Sequence, residues 1–301
     1  MNSVRFLLAC MACATGVTSV QAQSSVELYG RVDLGYRNDS GGDRNQIANN
    51  SMNALGFRGA EDLGNDMKAF FQLEHRFDAD TGQSRTPFWD EISIVGLRGA
   101  FGEVRLGRQG GPFGVAPDPD AFGGDTVAGA GERKAGADDK YNNSVIYWTP
   151  VAGGFSAAVG VSAGEGVQRR GASLVARYAA GPLLALVSYA DRSNRDHAWA
   201  LGGVYDFGPA KAILVAAHND GDATGLERTT VDIGAVVPLG HGSLRAKVNH
   251  DDNAGVRKRN LGVGYWYDLS ARTMLYSDVG LEKTDGMDNV HRFDLGIRHN
   301  F

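Results

Sequence analysis

The chain is poor in the features that mark most other classes of protein. Cysteine occurs twice in 301 residues, as Cys10 and Cys13, and both lie in an N-terminal stretch built like a targeting segment. Once that stretch is removed no thiol remains, so neither a disulfide frame nor a cysteine metal site is available. Proline is scarce, 8 in all, which argues against a proline-rich disordered chain. Beyond the N-terminus no apolar run approaches the ~20 residues of a membrane-crossing helix. Positive charge is in deficit, 30 basic residues against 35 acidic, which offers nucleic acid no electrostatic attraction. Glycine alone is in excess: 42 residues, roughly twice the ordinary share.

Residues 1–22 read as a signal peptide. Arg5 supplies the positive n-region, Phe6 to Val17 the apolar h-region, and Val20-Gln21-Ala22 a small-residue cleavage site before Gln23. Leu7-Leu8-Ala9-Cys10 loosely fits a lipoprotein signal, but cleavage there leaves too short an apolar stretch upstream. Removing Arg5 leaves 29 basic against 35 acidic residues, a net charge of −6. Residues 23–301 then form one domain.

That domain alternates with a period of two. In the first run Val26, Leu28, Val32 and Leu34 fall on one face, and Glu27, Arg31 and Asp33 on the other. Such alternation marks a strand with one apolar and one polar side. Leu55-Gly56-Phe57-Arg58-Gly59 follows, and then residues 67–77, where Met67, Ala69, Phe71 and Leu73 oppose Lys68, Gln72, Glu74 and Arg76. Further strands are predicted at 90–99, 102–109, 141–149, 154–163, 170–180, 182–192, 195–207 and 210–219. The last five fall at 227–238, 242–251, 257–268, 271–283 and 290–301. Tight joints such as Asp206-Phe207-Gly208-Pro209 alternate with longer polar ones such as 219–226 and 251–256.

One stretch breaks the rhythm. Residues 109–140 hold three prolines, many glycines and several acids with no sustained period. A structureless loop of about 30 residues inside a compact domain is usually functional. A linker would separate two differently patterned regions, yet the pattern is the same on both sides. The stretch therefore belongs to one continuous β-structure and is expected to fold inward.

Five strands before the loop and eleven after it make sixteen, the even count of a closed antiparallel barrel with both chain ends on one side. A soluble sandwich also alternates. Three features favour a transmembrane β-barrel: strands near ten residues, short turns alternating with long loops, and aromatics near strand ends (Tyr36, Phe77, Tyr147, Tyr189, Tyr267, Phe301).

The last strand, Val290 to Phe301, places Phe293, Leu295, Ile297 and Phe301 on one face and ends on an aromatic. It resembles the terminal signature of bacterial outer-membrane proteins that the barrel-assembly machinery recognises. The whole mature chain resembles the Gram-negative general porins, nearest the neisserial and betaproteobacterial type. The resemblance rests on Val26-Glu27-Leu28-Tyr29-Gly30, Leu55 to Gly64, Leu106-Gly107-Arg108-Gln109, Phe122-Gly123-Gly124-Asp125-Thr126 and Asn143-Ser144-Val145-Ile146-Tyr147, in family order. It implies a homotrimer of sixteen-stranded barrels in outer-membrane lipid and lipopolysaccharide, passing small hydrophilic solutes and ions by diffusion. It also implies a constriction, where acids on the inward third loop (Asp118, Asp120, Asp125) face a basic wall (Arg31, Arg58, Arg76, Arg108, Lys140). Phe301 takes the role of assembly signal. Parity from Leu106 aims Arg108 outward unless Gly107 breaks the register. Ala54 and Ala121 depart from the family pattern, removing one positive and one negative group, and a weak anion preference is the expectation.

Other chemistry finds little purchase. The seven histidines are scattered, no G-x-S-x-G occurs, and no H-x₃-H pair suggests a metal. An outer-membrane barrel enzyme is therefore disfavoured, and no cofactor is called for. A substrate-specific channel is the nearer alternative. An energy-coupled receptor needs a plug domain, for which the first strand begins too soon after the cleavage site.

Overall fold

The computed structural model describes residues 25–42, 45–115, 119–123, 126–129, 140–164, 170–192, 196–221 and 227–301. The expected signal peptide, Asp118 and Asp125 lie outside them. Among the described residues sixteen long strands carry the fold. They are β1 (Ser25–Asp39), β2 (Asn53–Gly64), β3 (Met67–Asp78), β4 (Ile92–Gly99), β5 (Gly102–Gly110), β6 (Lys140–Trp148), β7 (Phe155–Ser162) and β8 (Gly171–Ala180). The second half comprises β9 (Leu183–Arg192), β10 (Asp196–Asp206), β11 (Lys211–Gly221), β12 (Arg228–Leu239), β13 (Gly242–Asn253), β14 (Val256–Asp268), β15 (Thr273–Thr284) and β16 (Val290–Asn300). Two short strands, Gln46–Ala48 and Gln83–Ser84, extend the pairing of β1 and β3. A four-residue helix, α1 (Pro112–Val115), opens the long loop.

Each strand pairs antiparallel with its chain neighbours, and β16 closes on β1 from Asn300 opposite Arg31 to Arg292 opposite Asp39. Closure leaves no sheet edge, the condition a β-structure must meet in hydrocarbon. The turns alternate as the sequence requires. Asn65 and Asp66, both at positive φ, join β2 to β3, with the Gly64 amide donating to Asp62 Oδ1. One joint differs from expectation. Residues 251–256, read as a longer loop, form a two-residue turn at Ala254 and Gly255, and β13 and β14 run on to meet it. Alanine at positive φ is rare in such turns, which favour Asn-Gly or Asp-Gly, so the sequence carries no hairpin signal there.

The barrel is polar inside and apolar outside. Asp33, Asp278 and Asp294 are fully buried, while Val95, Val159, Ile233, Val279 and Leu295 are each more than half exposed. A soluble monomer rarely shows a continuous apolar belt of this kind; a barrel in lipid requires it. Outward rings flank the belt: Tyr36, Tyr189 and Trp199 toward the loop end, Phe155, Tyr205, Phe207 and Tyr267 toward the short turns. No helix among the described residues is long and apolar enough to cross a membrane.

The C-terminal residue seals the seam. The amides of Gly30 and Phe301 exchange hydrogen bonds with each other's carbonyls, both at 3.1 Å. The Phe301 ring lies across Gly30, where a Cβ would sit 2.4 Å from Cζ. Because the ring lies on the outer face, it cannot touch the lumen. Deleting Phe301 is expected to lower the amount of folded barrel recovered in the membrane several-fold and to leave single-channel conductance unchanged. Equal folded yield on a heat-modification gel would contradict this role.

Candidate constriction and pore wall

The described residues of the third loop, 111–115, 119–123 and 126–129, lie along the lumen face on a bed of residues with small side chains or none. Phe113 of α1 packs among Ala190, Ala198, Ala200 and Ala217 on β9, β10 and β11. Pro112 covers Gly160, Pro119 approaches Gly202, and Ala121 approaches Gly234. Farther along, the carbonyl of Val127 crosses Gly280 and that of Ala128 crosses Gly262, where an added Cβ would sit 2.3 and 2.2 Å from the respective oxygens. Five of the glycines thus share one physical cause: the loop lies close on the wall from β7 to β15, and at Gly262 and Gly280 backbone meets backbone.

Polar groups pin the loop to this bed. Arg245 donates from Nη1 to the Ala121 carbonyl at 2.5 Å, while its guanidinium lies 3.8 Å over the Trp266 ring. Lys247 reaches Asp120 at 3.6 Å, Asp232 at 3.4 Å and the Gly129 carbonyl at 3.3 Å. The Val127 amide donates to Asp294 Oδ2 at 3.2 Å, and Trp266 Nε1 donates to Asp278 Oδ1 at 3.0 Å. Phe122, with no exposed surface, packs edge-on to Trp266.

The first loop also enters the lumen. Ser51 donates to Asp33 Oδ2 at 2.5 Å, and Asn50 donates to the Tyr276 hydroxyl at 2.8 Å. Tyr276 donates in turn to Asp33 Oδ1 at 2.5 Å, and Arg298 Nε to Asp33 Oδ2 at 2.6 Å. One carboxylate therefore holds β1, β15, β16 and the first loop together.

The basic wall expected from the sequence spans β1 to β6, away from the loop's bed. Arg31 donates to Asn300 Oδ1 at 3.1 Å. Arg58 makes a two-pronged pair with Glu27 at 2.8 and 3.0 Å near the short-turn end. Arg76 contacts Glu74 at 3.2 Å and Glu91 at 3.0 Å, and Lys140 shares Glu91. The extra residue of the register shift lies on β6 at Asn142–Asn143, with Asn143 at φ 49°, so the alternation of β5 is unbroken: Leu106 faces outward, Gln109 is buried against Ser144, and Arg108, opposite Ser93, stays on the outward face rather than in the expected basic wall. Arg108 donates to the Asp90 carbonyl at 2.8 Å and to Asn142 Oδ1, two uncharged acceptors. Among the described residues it has no carboxylate partner.

Asp120 is placed differently from an acid that faces this basic wall across the pore. Its side chain is 1 % exposed, against Lys247, and Oδ1 accepts from the Phe122 amide at 2.9 Å. Its charge is compensated on the far side of the barrel. Arg245 and Lys247 serve the loop rather than the open pore. Their spacing of two puts them on one strand face, but the loop contacts lie over a hundred residues away in sequence. Two inward arginines, Arg98 beside Phe70 and Arg177, join the wall unforeseen. Among the described residues one group has metal-ligand spacing: His218, Asp220 and Glu227, on the outer rim. The two His218 ring nitrogens contact Thr229 at 2.8 Å and Asp220 at 2.7 Å.

A closed sixteen-stranded barrel with a charged lumen and an apolar outer belt has the architecture of an outer-membrane channel. The chain belongs to the Gram-negative porin family, whose model matches residues 8–287. It is 32 % identical over 308 residues to outer membrane porin protein 32 of Delftia acidovorans, covering 88 % of this chain and 86 % of that one. Among solved structures it resembles the anion-selective porin from Comamonas acidovorans, with a TM-score of 0.82, 28 % identity, and coverage of 93 % of this chain and all of that one. The trimer form of Vibrio cholerae OmpT shares the fold, with a TM-score of 0.73 at 15 % identity over 92 % of this chain and 99 % of that one.

Proposed function

We propose that this outer-membrane channel passes small hydrophilic solutes and ions by passive diffusion with a weak preference for anions. The observation that carries the preference is the unequal fate of the charges. Asp120 is paired with Lys247 at the wall, whereas Arg31, on the lumen face of β1, donates to an uncharged acceptor, Asn300 Oδ1. Confinement between low-dielectric walls amplifies the field of such a group, and screening over about 8 Å removes the influence of distant loop acids. Arg58 adds to the positive side, offset by Glu27. Asp118 and Asp125 are assigned to restraining the preference. The anion-selective relative supports the sign.

The working unit is a homotrimer surrounded by outer-membrane lipid and lipopolysaccharide. The OmpT trimer form is consistent with this, as is a polar group on the outer wall. There His75 pairs with Asp90 at 3.3 Å and stacks on Phe88, with Trp89 against Phe57, a polar group on a wall that lipid alone would leave apolar. Export removes residues 1–22, and the assembly machinery reads the strand ending at Phe301.

The test is Arg31→Ala in planar bilayers. Currents should rise in groups of three, and the anion-to-cation permeability ratio should fall by about twofold relative to wild type. An unchanged ratio would remove Arg31 from the groups that set the preference.

A further inference from the structure

At the loop end of the outer wall, β11 and β12 bring three metal-binding side chains to one point. His218 and Asp220 lie two apart on β11, and Glu227 stands just before β12, two residues from Thr229. The alternation of each strand sends its pair to the outer face. The buried neighbours Ala217 and Thr230 face the lumen side instead. The ligand atoms of His218, Asp220 and Glu227 lie within 4.8 Å of one another.

The imidazole is fixed from two sides. Thr229, its partner across the ladder, contacts Nδ1 through Oγ1 at 2.8 Å, and the Trp199 ring lies 5.8 Å away at 32°. With Nδ1–H donating to the hydroxyl, Nε2 keeps its lone pair, as in metal-bound histidines oriented by a partner on the other nitrogen. Nε2 faces Asp220 Oδ1 at 2.7 Å and Glu227 Oε1 at 3.7 Å.

Like charges side by side on adjacent strands repel. The last ladder pair is Asn219 with Arg228, and Asp220 and Glu227 are the next residues on the two stems. Among the described residues neither carboxylate pairs with a lysine or arginine, and both turn to His218. His197 lies across from Asp220 on β10, but its Nδ1 is turned to the Tyr189 hydroxyl at 2.9 Å and to Asp191 at 3.6 Å. A proton on Nε2 serves Asp220 and leaves Glu227 beyond hydrogen-bond range at 3.7 Å. A divalent ion serves both. Ligand atoms about 3.3 Å apart surround a four-coordinate zinc with bonds of about 2 Å. Turning the two exposed carboxylates is enough to reach that spacing.

We infer that His218, Asp220 and Glu227 bind a divalent ion of the zinc class, which ties the end of β11 to the start of β12 on the outer rim. The imidazole selects such an ion over calcium or magnesium, which take oxygen ligands. One nitrogen and two oxygens leave a fourth position for water.

The experiment measures zinc binding to the purified, chelator-stripped barrel by equilibrium dialysis, with zinc chloride as the probe and calcium chloride as the competitor. Wild type should hold one zinc per chain at this site. His218→Gln should weaken the binding at least about tenfold, and Thr229→Val, which removes only the hydrogen bond to Nδ1, by a smaller factor. His250→Gln, at an exposed position on β13, should keep it. Zinc should also raise the temperature at which the folded band converts on a gel, in wild type but not in His218→Gln, because an ion bound only by the folded barrel stabilises it. Unheated gel migration and conductance without zinc should match wild type in each variant. If His218→Gln does not fold, Asp220→Asn carries the test with the same expected loss. Absence of zinc uptake at about 1 mM, where even weak extracellular ion sites fill, would overturn the inference and leave an ion-paired histidine. So would equal zinc affinity in wild type and His218→Gln, or release of the zinc by an equal concentration of calcium.

Discussion

Replacing Gly262 and Gly280 together by valine is expected to cut single-channel conductance to roughly half or less, because pore-lining geometry sets the current. Each new Cβ would fall within 2.3 Å of a loop carbonyl, that of Ala128 at Gly262 and that of Val127 at Gly280. The wall cannot yield, since β14 and β15 are held by ladders on both sides. The loop must move instead, and the only free direction is into the lumen. The shift also strips the Val127 amide from Asp294 and the Gly129 carbonyl from Lys247, so the open current should become noisier. Val279→Ala, on the outer face of the same strand, should conduct like wild type. Full conductance in the double variant would show that the loop does not depend on the glycine bed.

Asp33→Ala is expected to cost about 3 kcal/mol, the lower end for breaking a buried ion pair, because lumen water can partly rehydrate the orphaned group. Asp33 has no exposed surface, and it accepts from Arg298, Tyr276 and Ser51. Its loss leaves the Arg298 guanidinium, 9 % exposed, without its carboxylate at the seam where β1 meets β16. The temperature at which the folded band converts on a gel should drop by roughly 5–10 °C. Adding Arg298→Met should recover part of the loss, since the uncompensated charge is then gone. Asp33→Asn keeps an acceptor for Tyr276 and should fall between. An unshifted conversion temperature in Asp33→Ala would show that the seam is held by the backbone ladder alone.

The strands were legible because the barrel reads one residue in two to each solvent. Val32 against Asp33, or Leu295 against Asp294, states the inside and the outside in adjacent letters. The even strand count, the long loop and the outward Phe301 follow from that alternation. The loop's seat was not legible. Glycine has no side chain to show a period, so Gly262 and Gly280 read only as composition until Val127 and Ala128 are seen against them. The alternation of β13 puts Lys247 on the inward face, but its partner Asp120 lies on a segment without pattern, so the pairing has no local signal. At Arg108 alternation points the right way and the resemblance does not: the bulge lies on β6 at Asn142–Asn143, and Arg108 stays outward with Leu106. The turn at Ala254 was missed for the opposite reason, its polar neighbours Asp251, Asp252 and Asn253 looking like loop while pairing as strand.

The balance of charge along the open pore has a direct electrical reading. With wild-type protein in a planar bilayer and a KCl gradient across it, the reversal potential gives the sign of the preferred ion. A potential of the sign set by chloride, modest in size and drawn further toward chloride by removing an exposed pore acid through Glu27→Gln, is the predicted result. A potential set clearly by potassium would contradict the account.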